Sequence, residues 1–243
     1  MEIMTAIFSV CGGIIATVMS GMDGSVSTAA TLPSEIVTAI EGLGLLESIP
    51  LWLVSLLGPL FITVMSFILL SISQGDAAEL LRRLPVDLFP ERRAVVETAC
   101  KLVGKVTYFG GGKSSVIGWD SRWGTLRKVR ADGNSTTGTY QPFGLDCSGF
   151  ADWVFYNISG GSYILGHGGG AHTQHTYCTP ITWAETQPDD LVFYPNDTHV
   201  GIVGSWGDSG NIPIIHCSGS HNNVVITGKA GFAIIGRPMY YSS

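Results

Sequence analysis

The chain has 243 residues and a formal net charge of −6, enough length for one sizeable domain with an appendage, and no basic footprint for nucleic acid. Charged residues make up only 13% of it while glycines number 32, a pairing that suggests a membrane portion joined to a loop-rich domain. The five cysteines, Cys11, Cys100, Cys147, Cys178 and Cys217, are odd in number and widely spaced, which argues against a disulfide framework or a Cys-rich zinc site. Charge is also uneven along the chain. Residues 1–75 hold five acids and no Lys or Arg, eleven of the thirteen cations fall between Arg82 and Arg130, and the stretch from Ala131 onward is acidic. An acidic C-terminal half attracts cationic groups and repels polyanions.

Two stretches near the start are long enough to span a bilayer, which needs roughly 20 apolar residues. Ile3 to Met22 carries no charge over 20 residues, and Ser48 to Gly75 carries none over 28. The second is the stronger, with Trp52 placed for the headgroup interface. A buried helical hairpin is the alternative. Between them Ile36, Ile40, Leu43 and Leu46 recur at helical spacing opposite Glu35 and Glu41, as in an amphipathic helix on a membrane surface. Residues 1–75 thus form a membrane-associated segment and 76–94 a juxtamembrane connector. The pairs Arg82/Arg83 and Arg92/Arg93 follow the second span, and the positive-inside rule places that side in the cytoplasm. Pro90 opens a helix running to about Val103, with Gly104 as its stop.

Beyond Gly104 the texture is strand and loop. The segments 190–194, 199–206, 211–217 and 223–228 are rich in β-branched and aromatic residues, and Asp208-Ser209-Gly210-Asn211 makes the second and third a hairpin.

The chemistry centres on Cys147. In CSGFADWVFYNIS, Phe150, Trp153, Val154 and Ile158 share a helical face, which sets Cys147 at the helix N-terminus. Unsatisfied amides and the macrodipole there favour an anion, so the thiol is expected below its free pKa of about 8.5. Those amides also suit a developing oxyanion. A small buried core residue is the competing reading. A cysteine nucleophile needs a base and something to orient that base. His199, opening an apolar strand, is the candidate base, and His216, ending the next strand, is positioned to fix its tautomer.

The blocks GKVTYFGGGKS, GLDCSGFADWVFYN, QPDDLVFYPNDTHVGIVG and IIHCSGSHNNVV, in that order, resemble the NlpC-type cell-wall endopeptidases over roughly Val95 to Tyr240. The resemblance implies an α+β, papain-like domain over 95–243, with a central antiparallel sheet and the nucleophile at a helix N-terminus; by the length of the apolar stretches, one or two transmembrane helices precede it. It implies cleavage of peptidoglycan stem peptides at γ-D-glutamyl–diamino acid bonds by Cys147, His199 and His216, with no metal or other cofactor. By position, Tyr108 falls where a hydroxyl holds substrate or oxyanion, beside Ser148 at the nucleophile. Asp146 falls on the acid that binds a substrate amine in some members, and a helix-capping carboxylate is an equal reading.

Two blocks depart from the family pattern. Thr107 and Gly110 stand where a proline and an aromatic flank the tyrosine, and Asp189 stands where a turn glycine is expected, at a cost of about 1 kcal/mol or more if φ is positive there. Two insertions add to them. Residues 114–144, basic and aromatic, read as a lid, a wall-binding flap or a surface excursion. The loop with His167, His172, His175 and Cys178 has zinc-type ligands at a spacing that fits no familiar finger. The expected function is a membrane-anchored peptidoglycan hydrolase with its catalytic domain at the wall side, an orientation opposite to the one the arginine pairs favour. The alternatives are a CHAP-type amidase or a catalytically impaired wall-binding scaffold. Residues 1–75 resemble a conjugation-channel membrane protein of Gram-positive mobile elements, which implies a conjugation or secretion complex as partner.

Overall fold

A computed structural model describes residues 51–162, 165–206 and 212–242. The first expected span, the amphipathic helix at 36–46, Cys11 and the turn at 208–211 lie outside these residues. The chain divides into two compact units, 1–68 and 69–243.

Helix α1 (Leu51–Arg82) is the one helix among the described residues long and apolar enough to cross a membrane, judged by length and composition. Its residues Ile62 and Phe67 are 63% and 70% exposed, a placement of large apolar side chains that water does not favour. Farther along, Ala77 and Leu80 are buried in the core of the second unit with Leu84 and Leu88. The segment read as a connector therefore supplies core residues.

Helix α2 (Pro90–Cys100) begins with proline at its first position, where the missing N–H costs nothing. Val95, Val96 and Ala99 are buried at helical spacing. Bonds from Lys101, Leu102 and Val103 N–H to carbonyls three residues earlier tighten the end, and Gly104 stops it at φ +74.

The ribbon β1 (Leu126–Lys128) and β2 (Tyr140–Pro142) occupies the first insertion. Helix α3 (Cys147–Ile158) follows, then the short helix α4 (Ala171–Thr176). The main sheet comprises β3 (Cys178–Pro180), β4 (Leu191–Phe193), β5 (Val200–Val203), β6 (Ile214–Ser218), β7 (Asn223–Thr227) and β8 (Ile234–Pro238). Its order is β3-β8-β4-β5-β6-β7, antiparallel throughout. Strands β4, β5 and β6 are buried along their whole length, because α2 and α3 cover one face and a smaller cluster around Phe232 covers the other. The expected pairing of the second and third strands is present, with Ile202 opposite Ile215.

Candidate active site

The glycine-rich block is laced to the start of α3 by backbone. Phe109 N–H donates to Leu145 O, Leu145 N–H to Thr107 O, and Asp146 N–H to Gly112 O. The approach is so close that a Cβ on Gly149 would lie 1.9 Å from Gly112 O, and one on Gly144 1.9 Å from Thr107 O. Only glycine admits that contact. This lacing sets Tyr108 beside Cys147.

Cys147 is the first residue of α3, and Asp146 caps the helix by accepting from Gly149 N–H (2.6 Å) and Ser148 Oγ–H (2.9 Å). Of the two readings of Asp146, the capping bond is present. The thiol is buried, with Sγ 4.0 Å from Thr198 O, and the backbone amides of Val200 and Ser148 favour its ionised form. Thr198 immediately precedes His199, so the sulfur lies against the backbone that carries that histidine. Its pKa differs from the expectation. Burial, and then the Asp146 charge, push the thiol up to about 11, outweighing the two amides that pull it down.

His199 and His216 meet across β5 and β6, with His199 Nε2 2.7 Å from His216 Nδ1. The residue beyond them was not singled out in the sequence. His216 Nε2 lies 3.0 Å from Thr227 Oγ1, whose hydroxyl donates to Gly228 O at 3.1 Å. The Thr227–Gly228 bond assigns one set of tautomers to this chain. Gly228 O only accepts, so Thr227 spends its proton there and accepts from His216 Nε2–H. His216 Nδ1 then accepts from His199 Nε2–H, leaving His199 Nδ1 unprotonated and free to act as a base. Tyr194 and Phe232 stack within 4.9 and 5.7 Å of the His199 ring. In these dry surroundings burial holds His199 at about 4 and His216 at about 3, and both rings are neutral at physiological pH. Thr227 could have been found in the sequence only by counting two residues past each partner along an antiparallel ladder.

Around the thiol lies a polar cluster. Lys113 Nζ donates to Ser148 Oγ (2.6 Å), Gly169 O (2.9 Å) and Asp152 (3.3 Å), and stands 3.6 Å from Asp146. Gln174 donates to Ser148 O and Asp152. Burial raises Asp152 to about 6, with Lys113 opposing. Tyr108 is held well above its ordinary value by burial and then by the neighbouring Cys147 and Asp146, so its hydroxyl keeps its proton.

The first insertion reaches this site. A Cβ on Gly110 would lie 2.2 Å from Asn134 Nδ2, and one on Gly111 2.8 Å from Ala131 Cβ. Asn134 therefore fills the space that the expected aromatic at position 110 would take. Nothing in the sequence links the two positions.

The loop histidines do not converge on Cys178. His172 Nδ1 and His175 Nδ1 each lie 3.1 Å from Asp197 Oδ2, while Cys178 donates to Gln174 O and sits in β3, and His167 lies in a short 3-10 turn. Among the described residues no group of three or more such side chains is disposed to hold a metal ion. The four described cysteines are all free thiols.

No family model and no curated protein matches the sequence. The solved structures similar to it are NlpC/p60-domain proteins. The peptidoglycan hydrolase RipB of Mycobacterium tuberculosis is 20% identical over 69% of this chain and 83% of its own, with a TM-score of 0.44. The P60 domain of an antigen of M. avium subspecies paratuberculosis is 23% identical over 60% and 96%, at 0.41. RipD of M. tuberculosis, a non-catalytic NlpC/p60 domain protein adapted to peptidoglycan binding, is 14% identical over 61% and 98%, at 0.43. None of them bears on the conjugation-channel resemblance of residues 1–75.

Proposed function

We propose that the second unit is a cysteine peptidase that cleaves peptidoglycan stem peptides, with Cys147 as nucleophile, His199 as general base and His216 as its orienting partner. The observation that supports this reading is the hydrogen-bonded run from Gly228 O through Thr227 and His216 to His199, the residue that follows Thr198, whose carbonyl lies 4.0 Å from the Cys147 sulfur. A core cysteine and two structural histidines need no such directed chain. Cys147 Sγ attacks the amide carbonyl carbon while His199 Nδ1 takes the thiol proton. The oxyanion forms beside the amides at the start of α3 and the Tyr108 hydroxyl. His199 then gives its proton to the leaving amine, and water hydrolyses the acyl-enzyme. The choice of the γ-D-glutamyl–diamino acid bond follows the sequence resemblance. Membrane tethering follows the exposed apolar residues of α1 and its length, and a wall substrate requires the second unit to face outward. Of the cations that argue for the opposite orientation, Arg92 is bound inside the fold to Asp189 and Asp190.

Incubation of purified wall with the protein should release stem-peptide fragments, and Cys147→Ala should abolish that release. Undiminished release by the variant would refute the assignment. A second reading, peptidoglycan binding without cleavage, is favoured by the raised thiol pKa. Wall binding by both proteins with fragments from neither would select it.

A further inference from the structure

Resting on the hydrolase reading above, we infer that Lys113 is a positioning residue whose caged ammonium clamps the two residues flanking Cys147 and holds a positive charge beside the sulfur as negative charge develops there.

Lys113 directly follows the glycines that are laced to the start of α3. Its Nζ donates to Ser148 Oγ (2.6 Å), Gly169 O (2.9 Å) and Asp152 Oδ2 (3.3 Å). An ammonium has three protons, and three acceptors from the first turns of α3 and the loop ahead of α4 take them all. The stem runs over the helix start, since a Cβ on Gly149 would lie 3.1 Å from Lys113 Cδ. The clamp closes around Cys147. Ser148 Oγ–H donates onward to Asp146 Oδ1 at 2.9 Å, an oxygen that stands 3.6 Å from Nζ and also accepts from Gly149 N–H. One ammonium thus ties down the residues on both sides of the nucleophile.

Charge gives the clamp its chemical role. Asp146 at the N-cap and the buried Asp152 in the second turn place two carboxylates at the start of α3, and among the described residues no other Lys or Arg pairs with either. The remaining titratable groups near the thiol, Tyr108, His199, His216 and Cys217, are neutral at pH 7. Asp197, one residue before Thr198, is turned to His172 and His175. The balance at the sulfur is therefore two carboxylates against one ammonium. Without Lys113 a thiolate or an oxyanion would form against both carboxylates, inside a fold that screens them poorly. The helix amides do not answer alone, because Asp146 already takes the Gly149 N–H. The thiol responds in the same sense, pushed up by Asp146 and drawn down by Lys113.

The test uses the full chain and follows alkylation of Cys147 by iodoacetamide at pH 8, read by mass spectrometry on the peptide that carries it. Lys113→Ala should raise the thiol by about one pKa unit. The thiolate then falls tenfold while its nucleophilicity rises, so alkylation should slow about threefold. Loss of packing alone would expose the buried thiol and speed alkylation, which is the opposite sign. The truncation removes a fragment the size of propylammonium. That ion in the buffer should restore most of the lost rate, whereas tetramethylammonium at the same ionic strength, with no N–H to donate, should not. An unchanged or faster alkylation in Lys113→Ala, or equal recovery with both cations, overturns the inference. Lys113→Gln keeps much of the stem and two N–H groups without the charge, and makes the same comparison should Lys113→Ala not fold. It too should slow about threefold, and a native rate there overturns the inference. If the unmodified protein releases no stem peptide from wall while Lys113→Ala still slows alkylation, the hydrolase reading fails and the clamp at Cys147 stands.

Discussion

Replacing Asp189 with glycine separates two opposed effects that the turn before β4 combines. Asp189 adopts φ +80, where a Cβ costs about 1–2 kcal/mol. By turn chemistry alone glycine should therefore stabilise the protein, apart from a loss of about 0.5–1 kcal/mol in chain entropy. The residue is fully buried, however, and its carboxylate pairs with Arg92 of α2, itself 7% exposed. Removing one partner of a buried pair costs about 3–5 kcal/mol because a charge is left uncompensated. Arg92 would retain Pro188 O at 3.1 Å and Asp190 Oδ1 at 3.3 Å, with Asp190 already engaged by Arg237 at 3.0 Å. That residual support moves the cost to the lower end of the range. The net expectation is a loss of about 2 kcal/mol, or a Tm lower by about 4–8 °C for a domain of this size. Near-ultraviolet circular dichroism of the buried tryptophans during heating reads the transition. Asp189→Asn, which tolerates positive φ and removes only the charge, should lie on the same side of the native Tm. An Asp189→Gly protein that melts at or above the native temperature would show that backbone strain, and not the ion pair, dominates this turn.

Thr227→Val leaves His216 Nε2–H without its acceptor in a buried site, so about 1–3 kcal/mol of stability should go. Stem-peptide release should fall with it, since His216 is freed to adopt the other tautomer; native activity in a folded Thr227→Val protein would refute the relay. Acidification should destabilise the protein, because His199 and His216 are depressed in the fold to about 4 and about 3 from 6.5. The unfolded chain binds their protons first, so Tm should fall as pH drops below 6.5 and level off near the folded values. Asp152, raised to about 6, acts in the opposite sense over part of that window, and a Tm constant or rising from pH 7 to 5 would contradict the burial of the two rings.

What was legible in the sequence had short-range causes. The amphipathic face from Phe150 to Ile158 places Cys147 at a helix start, and alternating β-branched runs around His199 and His216 suffice to pair their strands. Four strands out of the main sheet's six were visible this way. Strands β3 and β8 were not, since CTP and IIGRP carry no turn signal and pair only through a long connection. Thr227, Asn134 and Lys113 escaped for a related reason. Each acts on a residue far away in sequence, and each is a polar side chain whose type alone suggests surface. The Asp189 anomaly was visible as a broken turn rule, but its compensation by Arg92 lies 97 positions away.

The proton inventory of the site carries a last consequence. Many cysteine peptidases would store a thiolate beside an imidazolium, and placement at a helix N-terminus alone would favour that pair. Here burial opposes it on both sides, raising Cys147 to about 11 and lowering His199 to about 4. Both groups are therefore neutral at rest, and the proton must move to His199 as the sulfur attacks rather than beforehand. Alkylation by iodoacetamide, which proceeds through the thiolate, should then be slow at pH 7 and climb about tenfold per pH unit through pH 9. Attack on a carbonyl need not follow that slope, because the oxyanion develops against the α3 amides and the Tyr108 hydroxyl while His199 Nδ1 receives the proton in the same step. A preformed ion pair would instead give an alkylation rate already flat between pH 6 and 8, and that plateau would show the amides of α3 to outweigh the burial of Cys147.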